Sequence, residues 1–148
     1  MKILLITSKS NLESFKKHYD SNILVDHQNF KNIMENYQID SEINLIYGYG
    51  GGTVLDVSKL IANKFEKKLI IFPTILSTSA FLTNKVAYFI DNTIKYYSTK
   101  TISETVYDDD ILKNANIRFH SAGWAELISS LIACYCWRNY NKNQMERL

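Results

Sequence analysis

The sequence predicts an α/β fold: a parallel sheet with helices on both faces, a β-hairpin insertion and a C-terminal apolar helix. Three observations carry this reading. Short apolar runs alternate with segments whose apolar residues recur every three or four positions, the pattern of βα units. Four of the five glycines fall within residues 48–52, between an apolar run and a helical pattern. One stretch near the C-terminus is apolar on nearly every side, so it expects to be covered by something.

Residues 3–7 (ILLIT) read as a first buried strand. Residues 10–19 read as a helix, because Leu12, Phe15 and Tyr19 are spaced by three and four. Residues 22–25 form a second short strand, and Phe30, Ile33, Met34 and Tyr37 mark a second helix. Residues 43–47 are a third strand. Gly48, Gly50, Gly51 and Gly52 then read as a turn, where glycine tolerates positive φ and close backbone approach. Val54, Leu55, Val57, Leu60 and Ile61 follow at helical spacing, and residues 69–72 (LIIF) form a fourth strand ended by Pro73. Residues 85–90 and 93–97 flank Asp91-Asn92 and read as a hairpin outside the parallel sheet. Residues 101–106 suggest another strand. Asp108, Asp109 and Asp110 diverge in direction, so a solvated turn with a helix cap is favoured over a metal site. Residues 125–140 are a strongly apolar helix.

Length and composition set bounds. The 148 residues fit a single domain by length, with apolar content of 46% and charged content of 22%. A net charge of +2 gives no argument for nucleic acid. Cys134 and Cys136 lie two apart in an expected helix and point in different directions, so they supply neither a disulfide framework nor a zinc quartet. A reduced, cytoplasmic setting follows as an expectation. The first apolar run is too short for a signal peptide, and no segment has the length of a membrane span.

Parallel sheets gather ligands at the carboxyl ends of their strands. Residues 8–10, 48–53 and 73–83 fall there, and the last two carry unusual chemistry. The glycine run is explained either by a tight strand-to-helix turn or by a phosphate site, where bare N–H groups and the positive helix end face an anion. Two common fingerprints do not fit. Thr53 stands where a Rossmann pattern starting at Gly48 needs glycine, and Lys59 comes too late for a P-loop.

Gly50-Gly51-Gly52-Thr53 followed by Asp56 and Lys59 resembles the GGGS-x-x-D-x-x-K signature of the iron-containing alcohol dehydrogenase, glycerol dehydrogenase and dehydroquinate synthase superfamily. The resemblance implies a Rossmann-like domain whose glycines, with Thr53, hold the pyrophosphate of NAD or NADP. Pro73-Thr74-Ile75-Leu76-Ser77-Thr78-Ser79 is similar to the P-T-x-x-S-T-D segment of the glycerol dehydrogenases, which implies that Thr74, Ser77 and Thr78 line the nicotinamide side. Ser79 stands where an acid is usual, which removes an expected substrate contact. Residues 108–118 resemble a further family segment, with Asn116 in place of proline. Gly123-Trp124-Ala125-Glu126 fits the G-x-A-E form of the metal-ligand motif, and Glu126 is thereby implied as a ligand of divalent Zn or Fe. Ser8-Lys9 lacks the acid that often selects NAD, so NADP stays open.

The resemblance also implies what this chain lacks. Family members continue into a helical domain that supplies two histidine ligands. Here His18 and His27 read as surface residues, and His120 lies six positions before Glu126. The expected organisation is a dinucleotide-binding domain over 1–120 and the opening of a helical metal-binding domain over 121–148. The function implied is an NAD(P)- and metal-dependent oxidoreductase acting on a small polyol or polyol phosphate, glycerol-1-phosphate dehydrogenase-like and incomplete in this chain. Two alternatives stand beside it: a sugar-phosphate cyclase of the dehydroquinate synthase type, favoured by the G-x-A-E form, and a non-catalytic nucleotide-binding or scaffold remnant. The apolar helix predicts a homodimer or a helical partner chain covering residues 127–137, with no nucleic acid and no membrane involved.

Overall fold

A computed structural model of the chain describes residues 1–25, 36–90, 93–100 and 102–145. Its strands are β1 (Lys2–Thr7), β2 (Ser21–Leu24), β3 (Ile43–Gly50), β4 (Lys68–Pro73), β5 (Lys85–Ile90), β6 (Thr93–Ser98) and β7 (Glu104–Thr105). The α-helices among the described residues are α1 (Gly52–Lys64), α2 (Asp109–Lys113) and α3 (Ile117–Met145). Five strands form a parallel sheet in the order β2-β1-β3-β4-β7. β5 and β6 pair antiparallel as the separate hairpin that the sequence predicts.

Alternation along the strands divides the core in two. Leu4, Ile6, Ile46, Leu69 and Ile71 face α1, which contributes Val54, Leu55, Val57 and Ile61. Leu5, Tyr49 and Phe72 face the other way and are covered by Leu12, Phe15, Tyr19, Val106 and Ile111, the last from α2. Ring contacts knit this second face: Phe15 lies 4.9 Å from Tyr49 and 5.5 Å from Phe72 between centroids.

Four expectations change. The helix expected over 10–19 is only a 3₁₀ turn, Leu12–Ser14, after which Phe15 is extended. Local polar groups compete with the helix here: Ser14 Oγ donates to Asn11 O at 2.8 Å and to or from Tyr49 Oη at 2.8 Å. The apolar spacing still marks the residues that touch the sheet.

The glycine run is not all turn. Gly48 and Gly50 belong to β3, and no described glycine has positive φ. Close approach is what requires them. A Cβ on Gly48 would come within 2.6 Å of Ser58 Oγ, and one on Gly50 within 2.8 Å of Val54 Cβ. The strand expected over 101–106 shrinks to Glu104–Thr105 at the sheet edge.

The C-terminal helix starts earlier than residue 125 and runs from Ile117 to Met145. Asn116 starts it, its Oδ1 accepting from the Arg118 N–H at 2.9 Å. Asp108 caps α2 as expected, its carboxylate accepting from the N–H groups of Asp110 and Ile111. The helix expected around Phe30, Ile33 and Met34, and His27 with it, lies outside the described residues; Tyr37 packs against the core.

Candidate functional site

Three strand ends meet at the carboxyl edge of the sheet. Thr7 Oγ1 donates to Tyr49 O at 2.7 Å, joining β1 to β3. The Thr74 N–H donates to Gly50 O at 3.0 Å, joining the end of β4 to the glycine turn. Asn11 Nδ2 reaches Thr74 Oγ1 at 3.5 Å from the far side. Thr74 is thereby buried between the two neighbouring loops.

The turn itself is Gly50-Gly51-Gly52. Gly51 is the N-cap residue of α1, in extended conformation, with no side chain to cap the helix. The first turn of α1 holds no acidic residue. The leading N–H groups of a helix have no intrahelical acceptor, so this end carries donors and partial positive charge. Gly51, Gly52 and Thr53 are all half-buried, open on one side. An anionic group fits such an end, and the pyrophosphate of a dinucleotide is one.

The loop after β4 lies against this turn. A Cβ on Gly51 would meet Ile75 Cδ1 at 2.7 Å, and one on Gly52 would meet Thr78 Oγ1 at 2.9 Å. Thr78 also accepts from the Ala80 N–H at 3.3 Å, starting the 3₁₀ turn Ser79–Phe81. Ser77 is half-buried, and Thr78 and Ser79 are exposed.

On its other side the same loop is gripped by α3. A Cβ on Gly123 would sit 2.1 Å from Leu76 O, so only glycine permits this crossing. One turn on, Glu126 Oε1 accepts from the Ser79 N–H at 2.7 Å. The loop thus lies between the glycine turn and α3, and the residues singled out in the sequence at 50–53, 74–78 and 126 all meet along it.

A buried cation anchors the loop's far end. Lys59 is 1% exposed. Its Nζ donates to Ala80 O at 2.9 Å, Lys85 O at 3.0 Å and Thr83 O at 3.2 Å. Asp56 Oδ1, 2.7 Å away, supplies the counter-charge one turn earlier on α1. Burial pushes the Asp56 carboxyl above the ordinary carboxylate range, and Lys59 pulls it part of the way back. Sequence reasoning placed Lys59 in the motif but gave it no role. Its position among Val57, Leu60 and Ile61 on the buried stripe of α1 was the available signal.

Among the described residues Glu126 has no companion ligands for the divalent metal expected there. A catalytic metal site usually takes three protein ligands. Among the described residues no three His, Cys, Asp or Glu side chains lie close enough to share an ion. His120 stands roughly 240° around α3 from Glu126, and His18 is exposed beside Asp20. Glu126 Oε1 accepts from the Ser79 amide.

Beyond the crossing, no described residue covers the apolar side chains of α3. Leu127, Ile128, Leu131, Ile132, Tyr135 and Trp137 are each 51–70% exposed. Cys134 and Cys136 are exposed and free. No helix among the described residues is long and apolar enough to cross a membrane.

A family model for iron-containing alcohol dehydrogenase matches residues 7–115. The chain is 32% identical over 139 residues to a glycerol-1-phosphate dehydrogenase [NAD(P)+] from Methanococcus maripaludis, covering 90% of this chain and 38% of that protein. It is 31% identical over 114 residues to a glycerol dehydrogenase from Thermotoga maritima, covering 74% of this chain and 31% of that protein. Its fold superposes on the crystal structure of glycerol dehydrogenase from Schizosaccharomyces pombe with a TM-score of 0.73 at 16% identity, covering 88% of this chain and 37% of that one. The chain spans less than two fifths of the length of each of these proteins. The matched segment runs from the end of β1 through the glycine turn, the hydroxyl-rich loop and the hairpin to the end of α2, and this chain therefore belongs to the iron-containing alcohol dehydrogenase family.

Proposed function

We propose that this chain is the dinucleotide-binding part of an NAD(P)-dependent dehydrogenase acting on a polyol or polyol phosphate. The observation that carries the reading is the uncapped, acid-free N-terminus of α1 at Gly51, faced by the Thr78 hydroxyl. Gly50, Gly51, Gly52 and Thr53 hold the pyrophosphate by backbone donors and the helix end. Thr74, Ser77 and Thr78 line the side on which the nicotinamide lies. The bound dinucleotide supplies the hydride-accepting ring; the chain's residues hold it and orient it. Glycerol 1-phosphate and glycerol are the substrate types named for the relatives. Those relatives favour a dehydrogenase over a sugar-phosphate cyclase.

Residues 1–120 serve as the dinucleotide-binding unit and 121–148 as the opening of a helical metal-binding unit. Glu126 is a metal ligand only if other segments bring the remaining ligands, so no chemical step is assigned to a metal here. The exposed apolar face of α3 is covered by helical polypeptide, from a partner chain or a second copy, and the protein works in the cytoplasm.

A second reading is favoured by one observation. Glu126 Oε1 accepts from the Ser79 N–H, and among the described residues no group of three possible ligands includes it. On that reading the chain binds a nucleotide without turning it over. Measuring dinucleotide-dependent oxidation of glycerol 1-phosphate and glycerol, with and without Zn²⁺, separates the two. Metal-dependent turnover supports the first, binding without turnover supports the second, and absence of binding contradicts both.

A further inference from the structure

We propose that Lys59 is a positioning residue, which fixes the 79–85 segment on α1 and so holds the Thr78–Ser79 rim against Gly52 at the mouth of the glycine turn. The proposal rests on the nucleotide reading for what the rim contacts, but not for the anchoring itself.

The path is short: two hydrogen bonds and one close approach of a side chain to a glycine. Lys59 Nζ donates to Ala80 O at 2.9 Å. The N–H of the same Ala80 donates to Thr78 Oγ1 at 3.3 Å. That hydroxyl is the atom against which Gly52 is packed, within 2.9 Å of where its Cβ would be. The next N–H along, that of Ser79, is held by Glu126. Residues 79–83 join no sheet, and Asn84 is tied to Thr99 just ahead of β5, so the ammonium is what attaches the segment to α1.

The choice of a charged group also argues for positioning. The core between α1 and the sheet closes through Val54, Val57 and Ile61 without Lys59. Apolar side chains in place of both Lys59 and Asp56 would fill the same space without desolvating two charges, and replacing a whole buried pair in this way is often neutral or stabilising. What apolar side chains cannot do is collect three carbonyl groups from residues 80, 83 and 85 at one point. The ammonium has three donors in a compact head, and the three carbonyls use all of them. Asp56 then provides charge compensation from α1 itself.

The test uses Lys59→Met and Asp56→Asn in the full chain. Amide hydrogen exchange is followed by residue, and binding of ADP and of the preferred dinucleotide is titrated. ADP probes the glycine turn alone, whereas the dinucleotide also needs the Thr78 rim. Lys59→Met is expected to keep the protection of β1, β3 and β4 while amide exchange at Ala80, Leu82 and Lys85 rises about tenfold or more. Dinucleotide affinity should fall about tenfold while ADP affinity stays within about twofold. Asp56→Asn should show the same pattern, smaller, and decides the matter if Lys59→Met does not fold. Unchanged exchange over 79–85 in a folded variant would overturn the proposal. So would equal loss of ADP and dinucleotide binding together with lost protection throughout the sheet. If the wild-type chain binds neither ligand, the nucleotide reading fails on its own, and the confinement of faster exchange to 79–85 still decides whether Lys59 anchors the segment.

Discussion

Glu126 Oε1 accepts a hydrogen bond of 2.7 Å from the Ser79 backbone N–H, and this bond ties α3 to the loop after β4. It works beside the Gly123 crossing over Leu76 O. Together they fix the start of a helix whose apolar side chains from Leu127 to Trp137 are exposed. Replacing Glu126 with alanine should raise exchange of the Ser79 amide about tenfold and cost about 1 kcal/mol or less of global stability, because the site is half-open to water. Residue-resolved exchange and urea unfolding check both parts.

Gly123 makes a stronger demand. A methyl group there meets a backbone carbonyl, which cannot rotate away. Gly123→Ala should therefore free α3 from the loop while leaving the sheet intact. Near-complete loss of protection at Ser79, with protection of β1 and β3 unchanged, is the expected result of exchange measurements.

Gly48 is predicted to be a packing position rather than a hinge. Its added Cβ would press on Ser58 Oγ and Cβ at 2.6 and 2.8 Å. Gly48→Ala should cost about 1–3 kcal/mol. Removing the opposing atoms with Ser58→Gly should recover part of that cost, so a double-mutant cycle would show a favourable coupling.

Asp56 gives stability a defined pH dependence. Its folded-state pKa is raised, first by burial and against the opposing pull of Lys59. A raised carboxyl binds its proton more tightly in the folded state. Its contribution is therefore full below the unfolded value, about 3.9, and is lost as pH rises through the raised folded value. The urea midpoint of the wild type should fall relative to Asp56→Asn across that window. A difference that is flat in pH would contradict the assignment.

Much of this was legible in the sequence. Short continuous apolar runs such as ILLIT and LIIF carried the strands, and Asp108 was readable as a cap. The loop over 10–19 was not legible as a loop, because Leu12, Phe15 and Tyr19 keep helical spacing while packing on the sheet as an irregular segment. Local hydroxyl and amide bonds, invisible to periodicity, decided its form. Gly48 and Gly50 were read through φ freedom and close approach together; close approach is the reason that holds, and its partners Ser58 and Val54 are set only by tertiary packing. The glycine turn, the Thr78 loop and Glu126 were each identified from residues. That one loop between two glycine contacts joins them required the fold. The anchoring by Lys59 escaped for the same reason, since its three acceptors are backbone carbonyls with no sequence signature.

The central claim is that the turn at Gly51 and the N-terminus of α1 hold a dinucleotide pyrophosphate. Calorimetric titration with NAD⁺, NADH, NADP⁺ and NADPH tests it most directly, using the wild type and Gly51→Leu. The leucine would crowd Ile75 and fill the space at the helix end. Saturable binding of at least one dinucleotide by the wild type, lost in a Gly51→Leu variant that retains its sheet, is the predicted result. No binding at millimolar ligand, or equal binding by both proteins, would contradict the account.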